Sequence, residues 1–235
     1  TIFMKNSIKT VIDNQKKYFQ SKNTFDISKR KNYLIKLRKE IRKNESEIEL
    51  ALFKDLGKSE GESYLTEIHF VYAELKIAIN NINKWAKRKS VRSSLLNFPS
   101  SDYIIAQPFG NTLHISPWNY PFQLSIAPLI GAIAAGNTVV LKPSEYSKNT
   151  SNILEKIISN VFEEELVKVF LGGPEVAKEL LNLQWDYIFF TGSVSVGKIV
   201  AKQAAINLTP TTLELGGKNP CVVDETASVK VTAKR

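Results

Sequence analysis

Four short runs in the second half of the chain carry side chains suited to binding and catalysis. Pro117-Trp118-Asn119-Tyr120-Pro121 sets one amide between two large aromatics and two backbone-fixing prolines. It reads either as a rigid aromatic turn, which spacing alone favours, or as a preorganised donor, Asn119, aimed at a developing oxyanion. Lys142-Pro143-Ser144-Glu145 puts a lysine at the tip of an apolar run, suited to an anionic or hydroxyl-rich ligand. Glu145, three residues on, can hold ribose hydroxyls. Alternatively, Ser144 or Ser147 caps the next helix and Glu145 complements its dipole. Thr191-Gly192-Ser193-Val194-Ser195-Val196-Gly197-Lys198 joins small hydroxyl residues and glycines where a strand meets a helix. Backbone N–H groups and the helix dipole welcome phosphate at such a place. The run is neither G-x-G-x-x-G nor a P-loop, because Lys198 lacks the required glycines before it. Finally, Glu214-Leu215-Gly216-Gly217-Lys218 sets one acid in an apolar strand before paired glycines. That suits a desolvated carboxylate of raised pKa acting as a general base; the alternative is a salt bridge to Lys218 or Lys142.

Each run follows a segment that reads as a strand. From residue 111 onward the pattern predicts strands at 112–116, 138–141, 167–171, 186–190 and 211–215. Between them it predicts helices at 121–135, 149–160, 173–181 and 195–205, the first ended by Gly136-Asn137. Short β-rich runs alternating with helices imply parallel strands with right-handed crossovers, an α/β doubly wound sheet. Ligands bind such sheets at the carboxyl ends of strands, where all four runs lie. The earlier part is different. Residues 7–89 hold no proline and little glycine, and predict two or three long amphipathic helices with a break near Gly57 and Gly61. A Ser- and Pro-containing connector follows, then a short strand at 103–106 before Pro108, placed near an edge.

The chain has 235 residues, enough to bury a core, and its 43% apolar and 23% charged residues exclude disorder. One cysteine and two histidines exclude an internal disulfide and a standard structural zinc site, so no metal is expected. The net charge of +9 is uneven: residues 1–100 carry 21 Lys and Arg against 11 Asp and Glu. Because Ile27, Leu34, Leu37, Ile41 and Ile48 recur at helical spacing among these charges, a solvated helix face reads better than a nucleic-acid surface. No apolar run suits a signal peptide or a membrane span, and a cytoplasmic chain is the expectation.

PWNYP, KPSE, FTGS-x-x-x-GK and LELGGKNP, in this order and at these spacings, resemble the aldehyde dehydrogenase superfamily over nearly the whole chain. LTPTTLELGGKNPCVVD and the short N-terminal region are similar to its class 3, fatty-aldehyde-like branch. The resemblance implies an NAD-binding domain with a Rossmann-like parallel sheet preceded by long N-terminal helices. Residues 1–92 would be its helical part, 93–110 a connector with an edge strand, and 111–235 the Rossmann-like core. It implies NAD as cofactor, with NADP possible, an aldehyde substrate and a homodimeric whole enzyme. By the same resemblance, Asn119 is the oxyanion donor and Glu214 the base that activates water for thioester hydrolysis. Lys142 and Glu145 bind the adenine-side ribose, with Pro117 and Trp118 lining the neighbouring wall. Gly192, Ser193, Val194, Ser195, Val196 and Gly197 form the phosphate-proximal loop, and Leu215 and Gly216 lie beside the nicotinamide. Ser195 departs from the glycine expected there and would tighten the pyrophosphate pocket.

The family's cysteine nucleophile falls past LELGGK, beyond Arg235, so the catalytic cysteine domain is expected to be absent and the chain inactive alone. Cys221 belongs to GGKNPC, a stretch the family carries besides its nucleophile, and Val222-Val223 beside it predict a buried, inert strand thiol. Loss of the remaining domain would leave apolar surface uncovered around Phe122, Leu124, Ile126 and Leu129. A non-catalytic nucleotide-binding protein is the competing reading, although it has no need of an oxyanion donor and a base.

Overall fold

The proline-free first third winds into helices α1 (Ile2–Gln20), α2 (Ile27–Lys43), α3 (Glu45–Leu56), α4 (Glu60–Ser63) and α5 (His69–Trp85). The computed structural model describes residues 2–234, with side chains from Ile8 to Lys234. Asp26 starts α2 by accepting from the N–H groups of Ser28 and Lys29 at 2.8 and 3.2 Å. A cap of this kind contributes about 1 kcal/mol. Leu34, Leu37 and Ile41 form the buried stripe of α2, and Lys36, Arg38, Lys39, Arg42 and Lys43 face solvent. The positive excess is thus largely a solvated helix face. Gly57 ends α3 at φ 70, a left-handed conformation that glycine adopts without a Cβ clash. Between α4 and α5 the helix widens through one π-helical turn, Tyr64–Ile68.

Two short strands follow, β1 (Lys89–Val91) and β2 (Asp102–Ile104), paired antiparallel in a sheet of their own. The strand expected near residue 103 therefore borders no part of the main sheet, and β1 gave no signal in the pattern. The physical reason is exposure: both strands are largely solvated, so neither shows a buried period to read.

The main sheet holds β3 (Asn111–Ile115), β4 (Thr138–Lys142), β5 (Val167–Val169), β6 (Tyr187–Gly192) and β7 (Thr211–Leu215). All are parallel, in the order β5-β4-β3-β6-β7. Helices α6 (Gln123–Ala135), α7 (Lys148–Val161), α8 (Pro174–Leu181) and α9 (Val194–Ile206) make the crossovers, and a short α10 (Val229–Thr232) follows β7. The doubly wound reading holds, with every expected core element present within a few residues of its expected bounds.

Two apolar clusters sandwich the sheet. On one face α6 and α7 lie between the sheet and α2, α3 and α5, in a cluster that includes Leu37, Ile41, Leu75, Ile126 and Leu154. On the other face Ile8 and Ile12 of α1 join Leu113, Val176, Leu180, Ile188 and Val200. Gln15 of α1 reaches the sheet, donating to the carbonyls of Val139 and Glu164 at 3.1 Å. This packing corrects one expectation: Phe122, Ile126 and Leu129 are fully buried, because α2 and α5 cover them. Leu124 alone of that group stays half-buried, on the wall of the cleft described next.

Candidate functional site

The chain runs from β3 outward through β4 to β5, then returns past β3 to place β6 and β7 on its other side. Loops leaving β3 and β6 therefore diverge, and the crevice between them is where doubly wound sheets bind ligands. A cleft of about 1350 Å³ opens there. Pro117, Trp118, Asn119, Lys142, Glu145, Gly192, Ser193, Val196, Glu214, Leu215 and Gly216 all line it. The four sequence runs meet in one place.

After β3 the chain passes from buried Ser116 to an exposed turn, with Trp118 54% and Tyr120 39% exposed. The turn is fastened from below. Lys58 Nζ donates to the carbonyl oxygen of Asn119 at 3.1 Å and sits 4.0 Å from the centre of the Tyr120 ring. The same ammonium is paired with Glu67 Oε1 at 2.6 Å, and both side chains are almost wholly buried. Glu67 Oε2 accepts from the N–H groups of Phe122 and Gln123 at 2.9 and 3.1 Å, capping α6 from the π-helical turn.

At the end of β4, Lys142 is 3% exposed and donates to Glu145 Oε2 at 2.6 Å. Its partner is thus Glu145 and not Glu214. Neither Ser144 nor Ser147 caps α7 in the expected way. Asp55 of α3 does so instead, accepting from the N–H groups of Asn149 and Thr150 at 3.1 and 2.7 Å. That leaves Glu145 to the cleft.

At the end of β6, Ser193 caps α9 by accepting from the Val196 N–H at 3.3 Å, and its hydroxyl lies 3.0 Å from that of Ser195. The first-turn N–H groups of a helix have no intrahelical partner, so this end attracts anions. A Cβ on Gly192 would stand 2.6 Å from the Phe190 ring, so the strand end is held close and free of bulk. Gly197 is buried instead of lining the cleft, and a Cβ there would lie 2.6 Å from Leu215 Cδ2. It lets α9 lie against β7. Val194 and Ser195 are exposed at the start of the helix.

Two burial expectations are corrected on the β7 side. Glu214 is exposed on the cleft wall and not desolvated, because it lies near the end of the edge strand β7. Cys221 is likewise exposed, since the chain leaves the sheet after Leu215 and Val222-Val223 form no strand. Among the described residues no group of three His, Cys, Asp or Glu side chains could hold a metal ion. Nor is any helix among them long and apolar enough to cross a membrane. Sequence reasoning missed Lys58, Glu67 and Asp55. They lie among many similar charges in the helical part, and no spacing there distinguishes a buried pair from a solvated one.

The sequence profile of the aldehyde dehydrogenase family matches residues 3–235. This chain belongs to the aldehyde dehydrogenase family. It is 46% identical over 230 residues to 4,4'-diaponeurosporen-aldehyde dehydrogenase of Staphylococcus aureus, covering 98% of this chain and 50% of that protein. It is 43% identical over 235 residues to aldehyde dehydrogenase family 3 member F1 of Arabidopsis thaliana, covering 99% and 49%. The class 3 likeness thus holds, and the chain spans about half the length of the curated relatives it matches. Among solved structures, the substrate-bound state of Staphylococcus aureus AldH superposes with TM-score 0.90 at 46% identity, covering 97% of this chain and 50% of that one. Glyceraldehyde-3-phosphate dehydrogenase GapN of Methanocaldococcus jannaschii, complexed with NADP, gives TM-score 0.79 at 28% identity, covering 92% and 47%. Betaine aldehyde dehydrogenase of Staphylococcus aureus in complex with NAD+ gives 0.82 at 26%, covering 92% and 44%.

Proposed function

We propose that this chain is the cofactor-binding portion of an NAD(P)-dependent aldehyde dehydrogenase that oxidises an aldehyde to a carboxylic acid. The observation that carries the reading is the convergence of Asn119, Lys142, Glu145, the start of α9 and Glu214 on one cleft at the topological switch point. The residues fit a dinucleotide. Free N–H groups at the start of α9 take the pyrophosphate. The buried Lys142 ammonium and the Glu145 carboxylate offer a donor and an acceptor 2.6 Å apart to the vicinal hydroxyls of a ribose. A 2'-phosphate beside Glu145 would meet like charge, so NAD is the preferred cofactor. Leu215, 40% exposed, and Gly216 provide the flat wall suited to a nicotinamide ring. That ring, when bound, accepts the hydride.

The remaining residues handle charge and protons. The Asn119 amide donates to the oxyanion that forms when a thiolate attacks the aldehyde carbon. Glu214, open to solvent, takes a proton from the water that releases the acid. Cys221, the one thiol of this sequence, stands exposed and does not line the cleft. We therefore assign the nucleophile to a part of the protein outside this chain, and expect the chain alone to have no activity. The test is NADH formation with short- and long-chain aldehydes by the chain and by its Cys221→Ser variant. No turnover by either, with turnover by the whole protein strongly lowered but still measurable in Asn119→Ala and Glu214→Gln, is the expected result. Turnover by the chain that vanishes in Cys221→Ser would overturn the reading.

A further inference from the structure

We propose that Lys58 and Glu67 are positioning residues that fix the Asn119 amide toward the cleft, an inference that rests on the oxyanion role of Asn119. The turn holding Asn119 is solvent-exposed on both sides of it, at Trp118 and Tyr120, so apolar packing alone does not fix its backbone. One ion pair ties it at four residues. Lys58 Nζ holds the Asn119 carbonyl at 3.1 Å, which sets the peptide plane immediately after the side chain that must donate. It also lies 4.0 Å from the centre of the next ring, Tyr120, an attractive cation–π contact. Glu67 Oε2 holds the N–H groups of Phe122 and Gln123, where the turn becomes α6.

The chemistry of the pair is poorly suited to scaffolding alone. Both side chains are buried, at 9% and 0% exposure, and well-packed apolar residues of similar volume often hold a fold as well as a buried ion pair does. Apolar residues could neither donate to the Asn119 carbonyl nor accept from the α6 amides. The backbone carrying Glu67 is also unusual. It lies in the π-helical turn Tyr64–Ile68, a device found frequently at functional sites. The arrangement therefore sets the direction of an amide, and an oxyanion donor acts through direction. A misplacement near 1 Å costs up to roughly a hundredfold in rate.

The test is a double-mutant cycle in the whole protein, measured as kcat, KM and NAD affinity. Lys58→Met is expected to lower kcat by about tenfold to a hundredfold while NAD affinity, set on the β4 and β6 loops, is unchanged. In an Asn119→Ala background the same substitution should have little further effect on kcat, because the group it positions is gone. Glu67→Gln, which keeps an acceptor for the α6 amides but weakens the hold on Lys58, should lower kcat less. An equal further fall in both backgrounds would assign the pair to the scaffold and overturn the proposal. So would full kcat in Lys58→Met when Asn119→Ala is impaired, which leaves the oxyanion role standing. Full kcat in Asn119→Ala would instead remove the oxyanion role and this inference with it. If Lys58→Met does not fold, Glu67→Gln carries the same cycle; loss of fold in both overturns the proposal.

Discussion

On the β3–β4 side of the cleft every strand residue is buried, whereas β7 on the opposite side ends in two exposed residues, Glu214 and Leu215. The charges differ in the same way. Lys58, Glu67 and Lys142 are each less than 10% exposed and hydrogen-bonded at 2.6 Å to an opposite charge. Glu214 stands in the open at the edge of the sheet. One wall is wired into the core before any ligand arrives, and the other is a surface. Substitutions on the first should cost stability as well as function, while those on the second should spare the fold.

The largest contrast is between two carboxylates of the same region. Glu67→Ala strands a buried ammonium and two amides, and should lower stability by about 3–5 kcal/mol. Glu214→Ala removes an exposed acid and should stay within about 0.5 kcal/mol. Urea unfolding midpoints of the two variants measure this, and equal losses would erase the distinction between the walls.

Next comes acid. Burial pushes the His114 imidazole, in the central strand β3, down from 6.5 to about 4. The unfolded chain then takes up a proton that the folded chain refuses, so stability falls as pH drops from about 6.5 toward 4. The ceiling of that loss is about 3 kcal/mol. His114→Leu should flatten the pH dependence of the urea midpoint in this window, and an unchanged slope would remove His114 as its source.

A glycine pair sharpens the contrast further. Gly110, at the entry to β3, has φ 135, and a Cβ there would collide with the Asp186 carboxylate that accepts from the Asn111 N–H at 2.7 Å. Gly110→Ala should lose about 2 kcal/mol or more. Gly197→Ala meets only the end of the half-exposed Leu215 side chain and gains helix propensity, so its net change should lie within about 1 kcal/mol. Thermal melts of the two variants decide it. The smallest effect concerns selectivity. Glu145→Gln should improve NADP affinity relative to NAD by about 1 kcal/mol, through relief of charge repulsion. Calorimetric titration with both cofactors reads it directly.

How legible each region was in the sequence follows the same division. The inner strands β3 and β4 are legible because burial on both faces selects runs such as Thr138-Val139-Val140-Leu141. The loop motifs were legible because each combines unusual residue types at a strand end. Short-range chemistry was readable; long-range pairing was not. Asp55 capping α7 and Glu67 capping α6 lie 94 and 55 residues from the amides they serve, and nothing local distinguishes them from their acidic neighbours. The expectation of a buried Cys221 fails for a related reason. Val222-Val223 has strand propensity, but no neighbouring strand takes it up, and β propensity expresses mainly the packing a residue finds.

We propose that the cleft at the switch point binds a nicotinamide dinucleotide through the Lys142 and α9 walls. Isothermal titration of the purified chain with NAD, alongside Lys142→Ala, tests it most directly. Weak, saturable binding by the chain is expected, with about tenfold weaker binding by the variant, the loss of one charged hydrogen bond. Equal affinity of the two proteins for NAD would contradict it.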